Sequence, residues 1–231
     1  LLDTPMSVAL LVDNGDWFSR DGSVNALRDG MIAFLDALPP QHEVGLYTIG
    51  GNPRQRVGFT RDRDRLRETA SKVFPERGAG TALLDSIRDT LERRLEDDAT
   101  FPVFVMMLSD NFESSGHYSD NQYEALINDL RRRGVTIHIV FLISQSGGPI
   151  TRYARNLADN TGGFYHGLAL PTGLALAMTE LATRMGRHFD AVSKRYRVVY
   201  EIPPQAGPEI SVNVQAPGAQ IKVFPDRLMP R

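Results

Sequence analysis

The sequence contains no cysteine, which excludes disulfides, thiolate metal sites and cysteine nucleophiles. It has no run of about 18 apolar residues, so it offers no membrane-spanning helix. It opens on no signal peptide. The first residues, LLDTPMSVAL, read as a linker running into a strand, as in a piece cut from a longer chain. Charge of one sign is also lacking: 26 Lys and Arg against 28 Asp and Glu leave a net −2. That balance argues against a nucleic-acid partner, whose capture rests on a basic surplus. There is no HExxH or HxH pair, no G-x-S-x-G elbow and no G-x-x-x-x-G-K-[ST] phosphate loop. Tryptophan occurs once, as Trp17.

What is present is a core. Hydrophobic residues make up 42% of 231, enough for one large domain with a small appendage. SVALLV (7–12) is short, rich in β-formers and apolar on both faces, as a central parallel strand would be. VNALRDGMIAFLDAL (24–38) carries apolar residues at helical spacing and stops at Pro39 and Pro40. EVGLYTIG (43–50) and QRVGF (55–59) predict a hairpin across GGNP. DRDRLRETASKVF (62–74) predicts a helix, and so does the stretch after the glycines of GAGTALLDSIRDTLERRLED (78–97). FPVFVMMLSD (101–110) is a second buried strand.

A helix over 120–134, a strand over 135–143, a helix over 150–163, a short strand over 164–169 and a long helix over 173–195 complete the alternation. The pattern predicts a doubly wound α/β fold, a mostly parallel central sheet with helices on both faces. After residue 195 the composition changes. YRVVYEI, EISVNVQ and QIKVF alternate like half-exposed strands between proline and glycine turns. The expected organisation is one domain over 1–195 and a C-terminal antiparallel β appendage over 196–231, whose open edges offer self-association.

In such a sheet, ligands gather at the carboxyl ends of the strands near the reversal of strand order. Asp13 ends the first strand, Thr81 opens a helix after GAG, and Asp110 ends FVMMLSD. Two carboxylates and a hydroxyl are hard oxygen ligands suited to Mg²⁺ or Mn²⁺. Each has a plainer role as well. Asp13 could hold a turn through its own backbone, and Thr81 could serve as a helix N-cap. Trp17 packs on the rim of the sheet or anchors a partner. His138, alternating within VTIHIVF, reads as a core residue, and His117 is the one histidine near Asp110 in sequence.

ALLVDNGDW, GAGTALLDSI and VMMLSDN, at these intervals, resemble the von Willebrand factor A (VWA) domain over roughly residues 5–190. YTIGGNPRQRVGFTRDRDRL and the closing β segment are similar to a bacterial subgroup, the VWA-related proteins of acidobacteria. The resemblance implies a metal-ion-dependent adhesion site built from Asp-x-Ser-x-Ser, a Thr and an Asp. Asp13, Thr81 and Asp110 match, whereas Gly15 and Trp17 stand where the two serines belong, and Asp16 lies between them. The implied site is therefore degenerate, holding Mg²⁺ or Mn²⁺ weakly or no cofactor at all.

The function expected from the resemblance is non-enzymatic binding of another protein. Trp17, Asn111 and Gly15 join Asp13, Asp16, Thr81 and Asp110 on the binding face, in an extracytoplasmic, secreted bacterial setting. Two alternatives stand beside it. One is a metal-assisted hydrolase using Asp13, Asp16 and Asp110; the other is a structural subdomain of a larger secreted protein.

Overall fold

The computed structural model describes residues 5–19, 23–95, 101–143 and 149–193. The expected β appendage lies outside the described residues. Within them, six strands form one sheet: β1 (Ser7–Val12), β2 (Glu43–Thr48), β3 (Arg54–Thr60), β4 (Pro102–Ser109), β5 (Thr136–Leu142) and β6 (Tyr165–Leu168). Their order is β3-β2-β1-β4-β5-β6. All neighbours pair in parallel except β2 and β3, which form the expected hairpin. Six helices connect them: α1 (Ser23–Ala37), α2 (Arg63–Ser71), α3 (Leu83–Arg93), α4 (Asp120–Arg132), α5 (Pro149–Thr161) and α6 (Leu174–Val192).

The two-residue period of the strands divides the core. Val8, Leu10 and Val12 of β1, with Val103, Val105 and Met107 of β4, face a cluster that includes Leu27, Met31 and Phe34 of α1 and Met178 and Leu181 of α6. Ala9 and Leu11, with Phe104, Met106 and Leu108, face the opposite cluster, which holds Leu83 and Ile87 of α3, Leu126 of α4 and Leu157 of α5. Both faces of the sheet are covered. This explains why β1 and β4 read as continuous apolar runs: every residue from Val8 to Val12 is fully buried.

Some boundaries differ from those expected. α2 ends at Ser71, and Val73 and Phe74 instead hand their carbonyls to Arg28 Nε (2.8 Å) and Asn14 Nδ2 (2.8 Å). These tertiary hydrogen bonds take the place of a further helical turn. α3 is capped at Ala82, with no side-chain cap bond, so Thr81 is not its N-cap. α4 begins with a reciprocal capping box between Ser119 and Gln122 and stops at Gly134, which adopts φ +68°.

The chain runs outward from β1 to β3, then crosses back to β4 on the other side of β1. The carboxyl ends of β1 and β4 therefore flank the point where the winding reverses.

Candidate functional site

β1 delivers Asp13 into this crevice. Its backbone N–H continues the ladder to Met107 O (2.8 Å), and its side chain is wholly buried. Oδ1 accepts from Gly15 N–H (2.8 Å); Oδ2 accepts from Ser109 N–H (3.2 Å) and from the Ser109 hydroxyl. Burial pushes the Asp13 carboxyl above the usual carboxylate range; the hydrogen bonds from Ser109 and Gly15, and the nearby Thr81 hydroxyl, oppose that shift.

Gly15 is buried beneath the next loop. A Cβ there would lie 2.5 Å from Asn111 Nδ2, 2.8 Å from Ala79 O and 2.9 Å from Asp13 Oδ1. The space a serine would need is taken by the Asn111 amide, which donates to Ala79 O at 2.9 Å. Asp16, exposed, turns away from Asp13: its backbone N–H donates to Ala79 O (3.0 Å), and its Oδ1 accepts from Gly78 N–H (2.7 Å). It binds the glycine loop instead of entering the crevice.

Trp17 and Phe18 lie in the 3-10 turn Asp16–Ser19. Phe18 is fully buried. Trp17 is half-buried, meets Phe18 edge-on at 5.1 Å between ring centres, and packs against the core on the α1 side.

Thr81 is fully buried. Its backbone bridges two loops, donating to Phe112 O (2.8 Å) and accepting from Ser114 N–H (2.9 Å). Its hydroxyl lies close enough to Asp13 to hold that pKa down, yet makes no hydrogen bond of good geometry. Asp110 is half-buried one residue beyond β4; its N–H donates to Leu142 O (3.0 Å), and its charge adds to the burial that raises the Tyr165 phenol, against Arg155. Among the described residues, no three Asp, Glu or His side chains are grouped to hold a metal ion. The structure thus brings Asp13 and Thr81 together, with Asn111 in front of Gly15. Asp16 is held by Gly78 instead, and Asp110 lies one residue beyond β4. Of the implied site's oxygens, those of Asp13 accept from protein donors, the buried Thr81 hydroxyl has no hydrogen-bond partner, and Gly15 offers none.

Other residues of the site had no signal in the sequence. Asn14 is buried and ties three loops together: Oδ1 accepts from Gly50 N–H (2.9 Å), Nδ2 donates to Phe74 O, and its carbonyl accepts from Glu76 N–H (2.7 Å). Ser115 Oγ accepts from Asp85 N–H (3.0 Å) at the start of α3, supplying from a distant loop the cap that Ala82 cannot. Asp85 in turn accepts from Gly116 N–H (3.0 Å) and Tyr118 OH (2.9 Å). Glu113, beside the same helix start, is raised by burial against the pull of the Ser115, Leu84 and Leu83 groups around it. His117 is exposed. His138 accepts from Phe164 N–H at Nδ1 (3.1 Å), and burial, with His188 and Arg184 nearby, lowers it to about 4. It is a structural residue.

The large exposed hydrophobics among the described residues are Phe74, Phe112, Ile143, Leu170 and Leu176. Phe74 lies in the loop held by Asn14, Phe112 follows β4, Ile143 follows β5, Leu170 follows β6, and Leu176 is in the first turn of α6. All five sit on the side of the sheet where the parallel strands end, Phe74 and Phe112 in loops that reach the Asp13 loop and Ile143, Leu170 and Leu176 beyond β5 and β6. Phe112 is 57% exposed and also covers Gly80, where a Cβ would meet its ring at 2.4 Å.

Comparisons with known proteins agree with this architecture. The family profile described as von Willebrand factor type A domain matches residues 8–113. No curated protein sequence matches the chain. A von Willebrand factor type A protein from Catenulispora acidiphila superposes with a TM-score of 0.66 at 13% identity, covering 79% of this chain and 43% of that one. The chain therefore spans less than half of that relative. The vWF domain of the type V pili tip protein Mfa5 from Porphyromonas gingivalis gives 0.60 at 13%, covering 85% and 98%. Proximal thread matrix protein 1 from the mussel byssus, with a zinc-occupied MIDAS motif, gives 0.60 at 14%, covering 80% and 47%. The profile covers residues 8–113 of the 231, and the solved structures share the fold of the described residues.

Proposed function

We propose that this chain is a non-enzymatic, protein-binding VWA module whose ligand face works without a metal ion. The observation that carries the reading is the distribution of exposed apolar side chains: Phe74, Phe112, Ile143, Leu170 and Leu176 all lie at the pole where this fold assembles its ligand site. Large apolar groups left in water around a polar centre are the pattern of a protein-recognition surface. The hydrogen bonds that Asp13 accepts from Ser109 and Gly15, and the lack of a side chain at Gly15, support the metal-independent part.

A hydrolase is not favoured. Asp16 is turned to Gly78 and Asp13 is buried, and among the described residues no three acidic or histidine side chains are grouped. The setting we infer, by resemblance, is a bacterial extracytoplasmic protein of the acidobacterial VWA-related type. The pilus-tip neighbour is in keeping with that setting.

The test is site-specific photo-crosslinking from position 112, in the presence and absence of a chelator. The expected result is capture of a protein partner that persists in the chelator and is absent when the crosslinker sits at position 131, on exposed α4. Equal capture from both positions, or capture abolished by the chelator, contradicts the reading.

A further inference from the structure

The loop between α2 and α3 presents a cation between two exposed aromatic rings. Phe74, 68% exposed, opens it, and at Gly80 the Phe112 ring covers the backbone. Between them the chain turns. Glu76 O accepts from Ala79 N–H (3.2 Å) and Gly78 adopts φ +73°, so residues 76–79 form a turn with Arg77 at its corner. Arg77 is exposed. It stands three residues from Phe74 and three from Gly80.

The loop is held along its length. Asn14 Nδ2 donates to Phe74 O and Asn14 O accepts from Glu76 N–H. Asp16 Oδ1 accepts from Gly78 N–H, and Asn111 Nδ2 donates to Ala79 O. Every one of these bonds engages the loop's backbone, so the Arg77 side chain takes no part in holding it. A segment fixed in this way loses little further freedom when a partner binds.

The other charges of the loop are engaged. Glu76 pairs with Arg54 at 3.2 Å, and the Asp16 carboxylate takes up Gly78 N–H. Arg28 lies over the Phe74 ring, 4.6 Å from its centre, and donates from Nε to Val73 O (2.8 Å). The Arg77 guanidinium makes no hydrogen bond or ion pair among the described residues. A guanidinium offers a planar fork of donors that a carboxylate accepts in pairs. Aromatic rings with arginine are also the residues that most often anchor protein interfaces. Charge complementarity therefore calls for an acidic group on the partner, and the two rings call for an apolar one beside it.

We propose that this loop receives an acidic-apolar peptide segment of a protein partner, with an Asp or Glu carboxylate on the Arg77 guanidinium and neighbouring apolar side chains on Phe74 and Phe112. The assignment rests on the protein-binding reading above and names the chemistry of its partner.

The experiment selects displayed random peptides on the immobilised full chain in the presence of a chelator. It compares wild type, Arg77→Gln, Arg77→Glu and, as a charge control on α4, Arg131→Glu. Both arginines are exposed, so the variants should keep the wild-type denaturation midpoint. The expected result is that wild type and Arg131→Glu enrich peptides with Asp or Glu beside an aromatic or aliphatic residue. Arg77→Gln should bind those peptides roughly five- to tenfold more weakly, and Arg77→Glu should select Lys or Arg in place of the acid. Enrichment without an acidic preference, or an acidic preference that survives Arg77→Glu, overturns the assignment. So does a lack of any enrichment over the bare support. Protein capture from position 112 then tells the two readings apart: it persists if only the partner's chemistry is wrong and is absent if the protein-binding reading fails as well. Self-association of the free chain that Arg77→Glu abolishes would give the face to a second copy and would also overturn the assignment.

Discussion

At position 15, a residue without a side chain decides what the crevice can hold. Restoring a hydroxyl there with Gly15→Ser would place Cβ against Asn111 Nδ2 and the Ala79 carbonyl. The variant should lose about 1–3 kcal/mol, the usual cost of overpacking, as read by urea denaturation. Asn111→Gly in the same chain should recover part of that loss. A fully stable Gly15→Ser would mean the crevice is looser than these distances indicate.

His42 gives a prediction with a sign. Burial, aided by Arg63, lowers it to about 4 from 6.5, with Asp190 opposing. The native ring stays neutral while the unfolded ring protonates below about 6.5. This contribution is therefore whole above pH 6.5, shrinks as pH falls, and is exhausted near pH 4. Each pH unit in that window is worth about 1.4 kcal/mol. Replacing His42 with Gln should flatten the fall of stability between pH 6.5 and 4 relative to wild type; parallel curves would refute it.

Asp13 and Thr81 were legible from strand ends and spacing. Asn14, Ser109 and the inward turn of Asn111 were not, because a hydrogen bond between loops depends on which strands the fold sets side by side. That adjacency has no local sequence signal.

Elements explain the rest of the site's order. α3 starts without its own cap, and the loop after β4 supplies Ser115, while Asp85 holds Gly116 and Tyr118 in return. Ser115→Ala should cost about 1 kcal/mol, the typical value of a lost N-cap, and should speed hydrogen exchange at the Asp85 amide. Exchange unchanged there would show that the cap is not needed. The alternation of strands and helices was read correctly because buried strands and amphipathic helices differ in period. The edge strand β3 was read from its turn. The end of α2 was missed, since the carbonyls of Val73 and Phe74 are drawn away by Arg28 and Asn14, partners distant in sequence.

Over the whole molecule the two poles differ. One exposes apolar groups around a closed polar network. The other holds the buried donors of His42 and Arg63. Leu170→Asp changes an exposed side chain and should shift stability by no more than about 0.5 kcal/mol, whereas Phe112→Asp also uncovers Gly80 and should cost more. Both should nevertheless weaken partner capture at the carboxyl pole. A variant that unfolds, or one that binds as before, would place the recognition surface elsewhere.

The most direct test of the central claim is calorimetric titration of the chelator-stripped protein with Mg²⁺ and Mn²⁺, alongside Asp13→Ala and Asp110→Ala. A face that works without metal predicts no saturable heat up to millimolar cation in any of the three proteins. Saturable binding to the wild-type chain, lost in both variants, would contradict it and restore a working adhesion site.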